Sequence, residues 1–166
     1  MELIKNNQPI QDKVVVGQIN LTNYLDDSNK FSVIIDNSVI DGLIASSVNF
    51  SKKVILRSSA FKKCEFLFTY FLGGLLIRDS TFDSYLDFQC GGHNQLQARI
   101  EILNNNFHDF VNFFDCIYNG PVTIKSNEFK KGTNILGNKG KAFETQFDLE
   151  PEISDNRGPV DIDGEG

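Results

Sequence analysis

The chain has 166 residues, 40% of them hydrophobic and 23% charged, which suits one domain with a core but supplies no run for crossing a membrane. No apolar stretch approaches the roughly 18–20 residues a bilayer requires, and the opening Met1-Glu2-Leu3-Ile4-Lys5 lacks the regions of a secretory signal. A soluble, cytoplasmic protein with no membrane partner is therefore expected. The formal charge of −6 is uneven: from Glu144 onward eight acids accompany one base, Arg157, so residues 1–143 are close to neutral. Cys64, Cys90 and Cys116 form an odd set without a CxxC pair, which excludes a disulfide framework and a zinc knuckle and leaves reduced thiols.

In chain order, residues 1–13 and the polar stretch Asp26–Lys30 read as a leading cap and loop. A repeat follows, anchored at Ile40, Phe61, Phe82, Phe107 and Phe129. Seven residues before each anchor lie Val33, Val54, Leu75, Ile100 and Val122; five before lie Ile35, Leu56, Ile77, Ile102 and Ile124. Two before lie Ser38, Ser59, Ser80, Asn105 and Asn127. Apolar alternation that gives way to small polar residues predicts a short strand running into a tight turn. A weaker column after the anchors holds Ile44, Glu65, Leu86, Val111 and Thr133. A period of about 21 without helical spacing excludes ankyrin, tetratricopeptide and leucine-rich arrays and predicts an all-β β-solenoid of about six coils. In such a coil the aliphatics and Phe stack inward, and Ser and Asn form corner ladders. The coil after Phe82 is longer and carries Gln89–Arg99, read as a looped-out insertion near 89–99. Residues 1–143 thus make the solenoid and 144–166 an acidic tail or cap, with Phe143, Phe147, Leu149 and Ile153 read as cover for the last coil.

Within the first half a finer step appears. Ile35, Ile40, Ala45, Phe50, then Leu56, Phe61, Phe66, Phe71, then Ile77 and Phe82 advance by five, with six at each coil junction. Two residues before each lies a mostly small or β-branched residue, such as Ser38, Val48, Ser59, Cys64 and Thr69. This resembles the pentapeptide-repeat family, clean over 33–82 and extending back through Val14, Ile19 and Tyr24. The resemblance implies a right-handed parallel β-helix with four five-residue units per coil. Leu43 and Leu75 depart from the small-residue position, so a more irregular right-handed β-helix is the alternative.

Chemistry is sparse. There are two histidines, His93 and His108, and no phosphate-loop, dinucleotide, HExxH or EF-hand pattern, so no catalytic residue, metal or cofactor is expected. A Cys90–His93 nucleophile pair lacks an orienting acid. Loops on rigid scaffolds carry recognition, which makes His93, Asn94, Gln95 and Arg99 the candidate recognition loop. The outward triplet Ile34, Ile55 and Leu76 stacks aliphatics on a water-facing side and is the candidate interface. Arg57, Arg78 and Lys125 are the candidate basic face, but a nearly neutral body makes nucleic acid an unexpected partner. The expected function is a non-enzymatic structural or protein-interaction module whose partner is another protein, including itself as a homo-oligomer. Two other classes stay open. Some pentapeptide-repeat proteins mimic duplex DNA and inhibit topoisomerases, and many β-helix proteins bind or cleave carbohydrate, which in an enzyme would show as a groove holding paired carboxylates or His93.

Overall fold

The computed structural model describes residues 2–22 and 32–164. Tyr24, the Asp26–Lys30 loop and Glu165 lie outside the described residues. Every strand pairing is parallel. One seven-stranded sheet stacks Ile10–Gln11, Ile34–Asp36, Val54–Arg57, Leu75–Arg78, Ile100–Leu103, Val122–Lys125 and Glu152–Ser154. A second begins with Val14–Asn20, Val39–Ile44 and Ala60–Glu65, then continues as pairs of two-residue strands up to Glu128–Phe129. A third joins Ile117–Tyr118 to Gln146–Phe147. The protein is a parallel β-solenoid of about five turns rather than the six expected. Among the described residues no helix is long and apolar enough to cross a membrane.

The winding follows from alternation plus a recurrent corner. In the first complete turn Val33, Ile35, Ser38, Ile40, Leu43, Ala45, Val48 and Phe50 are all buried, two per five-residue step, and the next turn repeats this from Val54 to Phe71. Each turn must change direction between steps, and two corners do so with left-handed backbone. Asn37, Ser58, Asp79, Asn104, Ser126 and Asp155 hold φ of 43–58° at the first, and Ser47, Phe68, Cys90 and Asp115 hold 53–59° at the second. Asn, Asp and small polar residues tolerate this conformation best.

Stacking like on like produces two kinds of column. Phe61, Phe82, Phe107 and Phe129 form a face-to-face file with ring centroids 4.9, 5.1 and 5.0 Å apart, and Phe66, Phe88 and Phe113 form a second at 5.3 and 5.0 Å. Beside them runs a buried polar ladder. The backbone N–H of Ser38 donates to Ser59 Oγ at 3.0 Å, Ser59 N–H to Ser80 Oγ at 3.2 Å, and Ser80 N–H to Asn105 Oδ1 at 3.0 Å. Asn105 N–H then donates to Asn127 Oδ1 and Asn127 N–H to Asn156 Oδ1, both at 2.9 Å. Successive rungs are 21, 21, 25, 22 and 29 residues apart in sequence. The ladder satisfies corner N–H groups that the strands leave unpaired, so it absorbs turns of unequal length without orphaned donors.

The weaker column after the anchors does not stack as the spacing implied. Cys64 pairs with Leu86 and Glu65 with Asp87, because one extra residue enters between Phe82 and Leu86. Ile44 and Glu65 therefore belong to one column, and Leu86, Val111 and Thr133 to its neighbour. A one-residue shift exchanges inward for outward positions.

At the N-terminal end the helix Glu2–Lys5 lays Ile4, fully buried, onto the core. At the other end, residues 145–164 go on winding. Gln146 and Phe147 pair with Ile117 and Tyr118, Ile153 pairs with Ile124, and Asn156 Nδ2 donates to Ile124 O at 2.8 Å. The acids of this segment thus stand outward on the final turn, where Glu152 meets Lys125 at 3.2 Å.

The thiols provide a simple check on this packing. Burial raises the Cys64 thiol well above its usual range and the Cys116 thiol to about 12, whereas Cys90 sits half-exposed on a corner. Since the thiolate is the reactive species, a thiol reagent at mildly alkaline pH is expected to label Cys90 alone in the native protein. All three cysteines should react in denaturant, and rapid native labelling of Cys116 would contradict the packing.

Candidate functional site

Only part of the 89–99 stretch leaves the stack. Cys90 holds its corner, with its N–H donating to Phe114 O at 2.9 Å, and Gly92 bridges both Tyr70 and Ile117. The excess chain lies between Gly92 and Ile100, so the loop is 93–99. His93 opens it at φ 52°, its N–H donating to Ile117 O at 2.6 Å. Asn94, at 0% exposure, is the staple: Nδ2 donates to Ala98 O at 2.6 Å and to Pro121 O at 3.4 Å, and Oδ1 accepts from Gly120 N–H at 3.3 Å. Ala98 N–H closes the loop on Gln95 O at 2.8 Å. Gly120 is required where the loop passes, since a Cβ there would collide with the Gln95 carbonyl oxygen.

The loop walls a concavity of about 610 Å³. Tyr70 and Leu72 form one wall, and His93, Gln95, Leu96 and Gln97 the loop side, with Asn94 beneath and Asn119 from the following turn completing the lining. The His93 ring lies 4.2 Å from that of Tyr70, tilted by 49°. Burial lowers the imidazole below its ordinary value, which keeps it uncharged at neutral pH. Asn119 Nδ2 donates to Asp148 Oδ2 at 2.9 Å, which orients the amide. No residue of the lining carries a formal charge at neutral pH. The site can stack and exchange neutral hydrogen bonds; it has no carboxylate in its lining for acid–base work on a glycosidic bond.

The residues singled out from sequence are distributed unequally. His93 and Gln95 line the pocket, Asn94 holds the loop, and Arg99 has returned to the stack, its carbonyl accepting from Leu75 N–H at 3.0 Å. Tyr70, Leu72, Leu96, Gln97 and Asn119 were missed. The signal for two of them is the run Phe66–Leu72, where Phe68, Tyr70 and Leu72 occupy outward positions that a water-facing side would fill with polar residues. Ile34, Ile55 and Leu76 do stack in register on the outer face of the first sheet, each half-buried, and Lys53 reaches along this face to Glu101 at 2.7 Å. Arg57 and Arg78 are neighbours there, while Leu103 separates Arg78 from Lys125. Each has an acid: Arg57 meets Asp36 at 2.7 Å, Arg78 meets Asp79 at 3.1 Å, and Lys125 meets Glu152 and Asp155. Cys90 Sγ donates to Asp115 Oδ2 at 3.6 Å, and the His93 imidazole packs on Tyr70.

Comparison with protein-family models, curated proteins and solved structures gives no match for this chain.

Proposed function

We propose that this protein is a non-enzymatic β-solenoid interaction module, pentapeptide-repeat-like in its five-residue step, whose rigid sides hold a protein partner, a second copy included. The observation that carries this reading is Phe68. It is a bulky aromatic at a left-handed corner, φ 53°, and 49% exposed, where its counterparts in other turns are Ser47, Cys90 and Asp115. That conformation costs a β-carbon residue about 1–2 kcal/mol, and the exposed ring returns little of it by burial. A side chain that the fold does not favour, followed outward by Tyr70 and Leu72, marks a surface shaped for contact rather than for stability. Elsewhere the outward charges pair with one another, as in Asp36–Arg57 and Lys53–Glu101, which gives little support to a duplex-mimicking row of acids. Three unbridged cysteines fit a reducing compartment such as the cytoplasm.

Two measurements test the proposal. Phe68→Asn is expected to stabilise the fold by about 0.5–1 kcal/mol, read as a higher urea midpoint, and to weaken association; a clear loss of stability would make Phe68 structural. Light scattering of the full chain, Phe68→Asn and Ile55→Asp then locates the surface. Mass that rises with concentration and falls in Phe68→Asn supports the corner. A dimer lost only in Ile55→Asp moves the interface to Ile34, Ile55 and Leu76, and a monomer throughout removes self-association.

A further inference from the structure

We infer that the pocket between Tyr70 and the 93–99 loop is a binding site for a neutral oligosaccharide whose sugar rings present flat apolar faces. The inference does not rest on protein association. In a chain with 16 Lys and Arg and 22 Asp and Glu, the concavity beside the loop has none of them in its lining. A phosphorylated or acidic ligand would find no counter-ion there, and a charged ligand loses more on desolvation than neutral dipoles return.

The neutral groups present match a sugar in kind. Tyr70, Leu72 and Leu96 supply apolar surface, with Leu96 67% exposed. A pyranose with equatorial substituents offers C–H groups on its faces, which pack on such surface, and a rim of hydroxyls that each donate and accept. The carboxamides of Gln95, Gln97 and Asn119 also both donate and accept, and a neutral imidazole does the same through its two nitrogens. Asp148 engages Asn119 Nδ2, leaving Asn119 Oδ1 toward a ligand donor. An extended peptide would instead seek strand edges, and the rows here already pair with one another: Phe71 N–H donates to Gly92 O at 2.7 Å, and His93 N–H to Ile117 O.

The loop is also preorganised. Asn94 is fully buried and bonded to Ala98, Pro121 and Gly120, so the loop is ordered by the protein rather than by its ligand, which removes a cost that otherwise opposes binding. A staple of this kind gives an exposed loop a defined shape that a mere lengthening of chain would not require.

The test is a titration of the isotopically labelled full chain with cellohexaose, followed by NMR, with maltohexaose and a hexamer of galacturonate in parallel. Cellohexaose is expected to shift Tyr70, His93, Leu96, Gln97 and Asn119 resonances with a Kd on the order of 1 mM or tighter. The acidic hexamer should shift none of them, and maltohexaose, whose axial linkage turns successive rings away from one plane, should bind more weakly. Tyr70→Ala should weaken binding about tenfold or more, Gln97→Ala severalfold, and Tyr70→Phe should retain it, because the ring face is kept. Absence of shifts at these residues with either neutral sugar, or equal binding by Tyr70→Ala, overturns the inference. Shifts at the same residues that follow protein concentration without sugar also overturn it, since a second copy would then occupy the pocket. Association that leaves these resonances unmoved bears on Phe68 or Ile55 alone.

Discussion

Phe82→Ala is expected to destabilise the fold by about 3–5 kcal/mol, the range for a large aromatic removed from a packed core. Phe82 is 1% exposed and lies between Phe61 at 4.9 Å and Phe107 at 5.1 Å, with interplanar angles of 8° and 21°. Two features place the effect at the upper part of the range. The rings above and below are held by parallel strands in register, Phe61 to Phe82 and Phe82 to Phe107, so the backbone cannot close on the void without breaking ladder hydrogen bonds. Each ring also loses a stacked neighbour, which adds to the transfer term. Urea denaturation of the variant beside Tyr85→Ala, a half-exposed aromatic three residues away, gives the comparison. Tyr85→Ala should cost less than about 1.5 kcal/mol. Equal midpoints for the two would show that the file of rings is not the core.

Asn127→Ala is the second large effect, about 2–4 kcal/mol, and its origin is polar. Asn127 is 1% exposed. Its Oδ1 accepts from the Asn105 backbone N–H at 2.9 Å, and its Nδ2 donates to Ile102 O at 2.8 Å. Alanine removes both partners and leaves a donor and an acceptor of the preceding turn buried without water. Serine should rescue in part. In the early turns Ser59 Oγ accepts from Ser38 N–H but donates to Arg57 O of its own turn, so Asn127→Ser restores the Asn105 contact and not that to Ile102. Hydrogen exchange is the decisive readout: the Asn105 amide should lose protection in Asn127→Ala and recover it in Asn127→Ser. Loss of stability without that local change would assign the effect to packing.

Much of this architecture is legible in the repeat. The columns at Val33, Ile35, Ser38 and Ile40 and their later counterparts are buried as their spacing implies, because identical side chains stacked in register share one environment and betray it by recurring. The ladder was readable further than the anchors suggest. Ile102-x-x-Asn105 and Ile124-x-x-Asn127 are followed by Ile153-x-x-Asn156, which places the acidic segment in the stack rather than beyond it. The spacing of 29 residues concealed it.

The candidate pocket was half legible. A glycine pair and a polar run exposed the loop, since a segment without periodicity cannot lie in a stack, and so His93 and Gln95 were found. Tyr70, Leu72 and Asn119 come from other turns, and Tyr70 meets His93 only across a rung. The difference between His93, which lines the site, and Asn94, which staples it, turns on which way adjacent side chains point.

Composition and period by themselves determined that the chain winds as a parallel solenoid, which residues fill its core and where its regularity fails. Those properties are repeated and local, and alternation along a strand encodes them many times over. Tertiary structure alone decided the register after the extra residue near Ser84, the winding of the last turn, and the convergence of Tyr70, the loop and Asn119 on one uncharged pocket. Each depends on how one turn sits on the next, a relation set by the lengths of the insertions and the hydrogen bonds that absorb them.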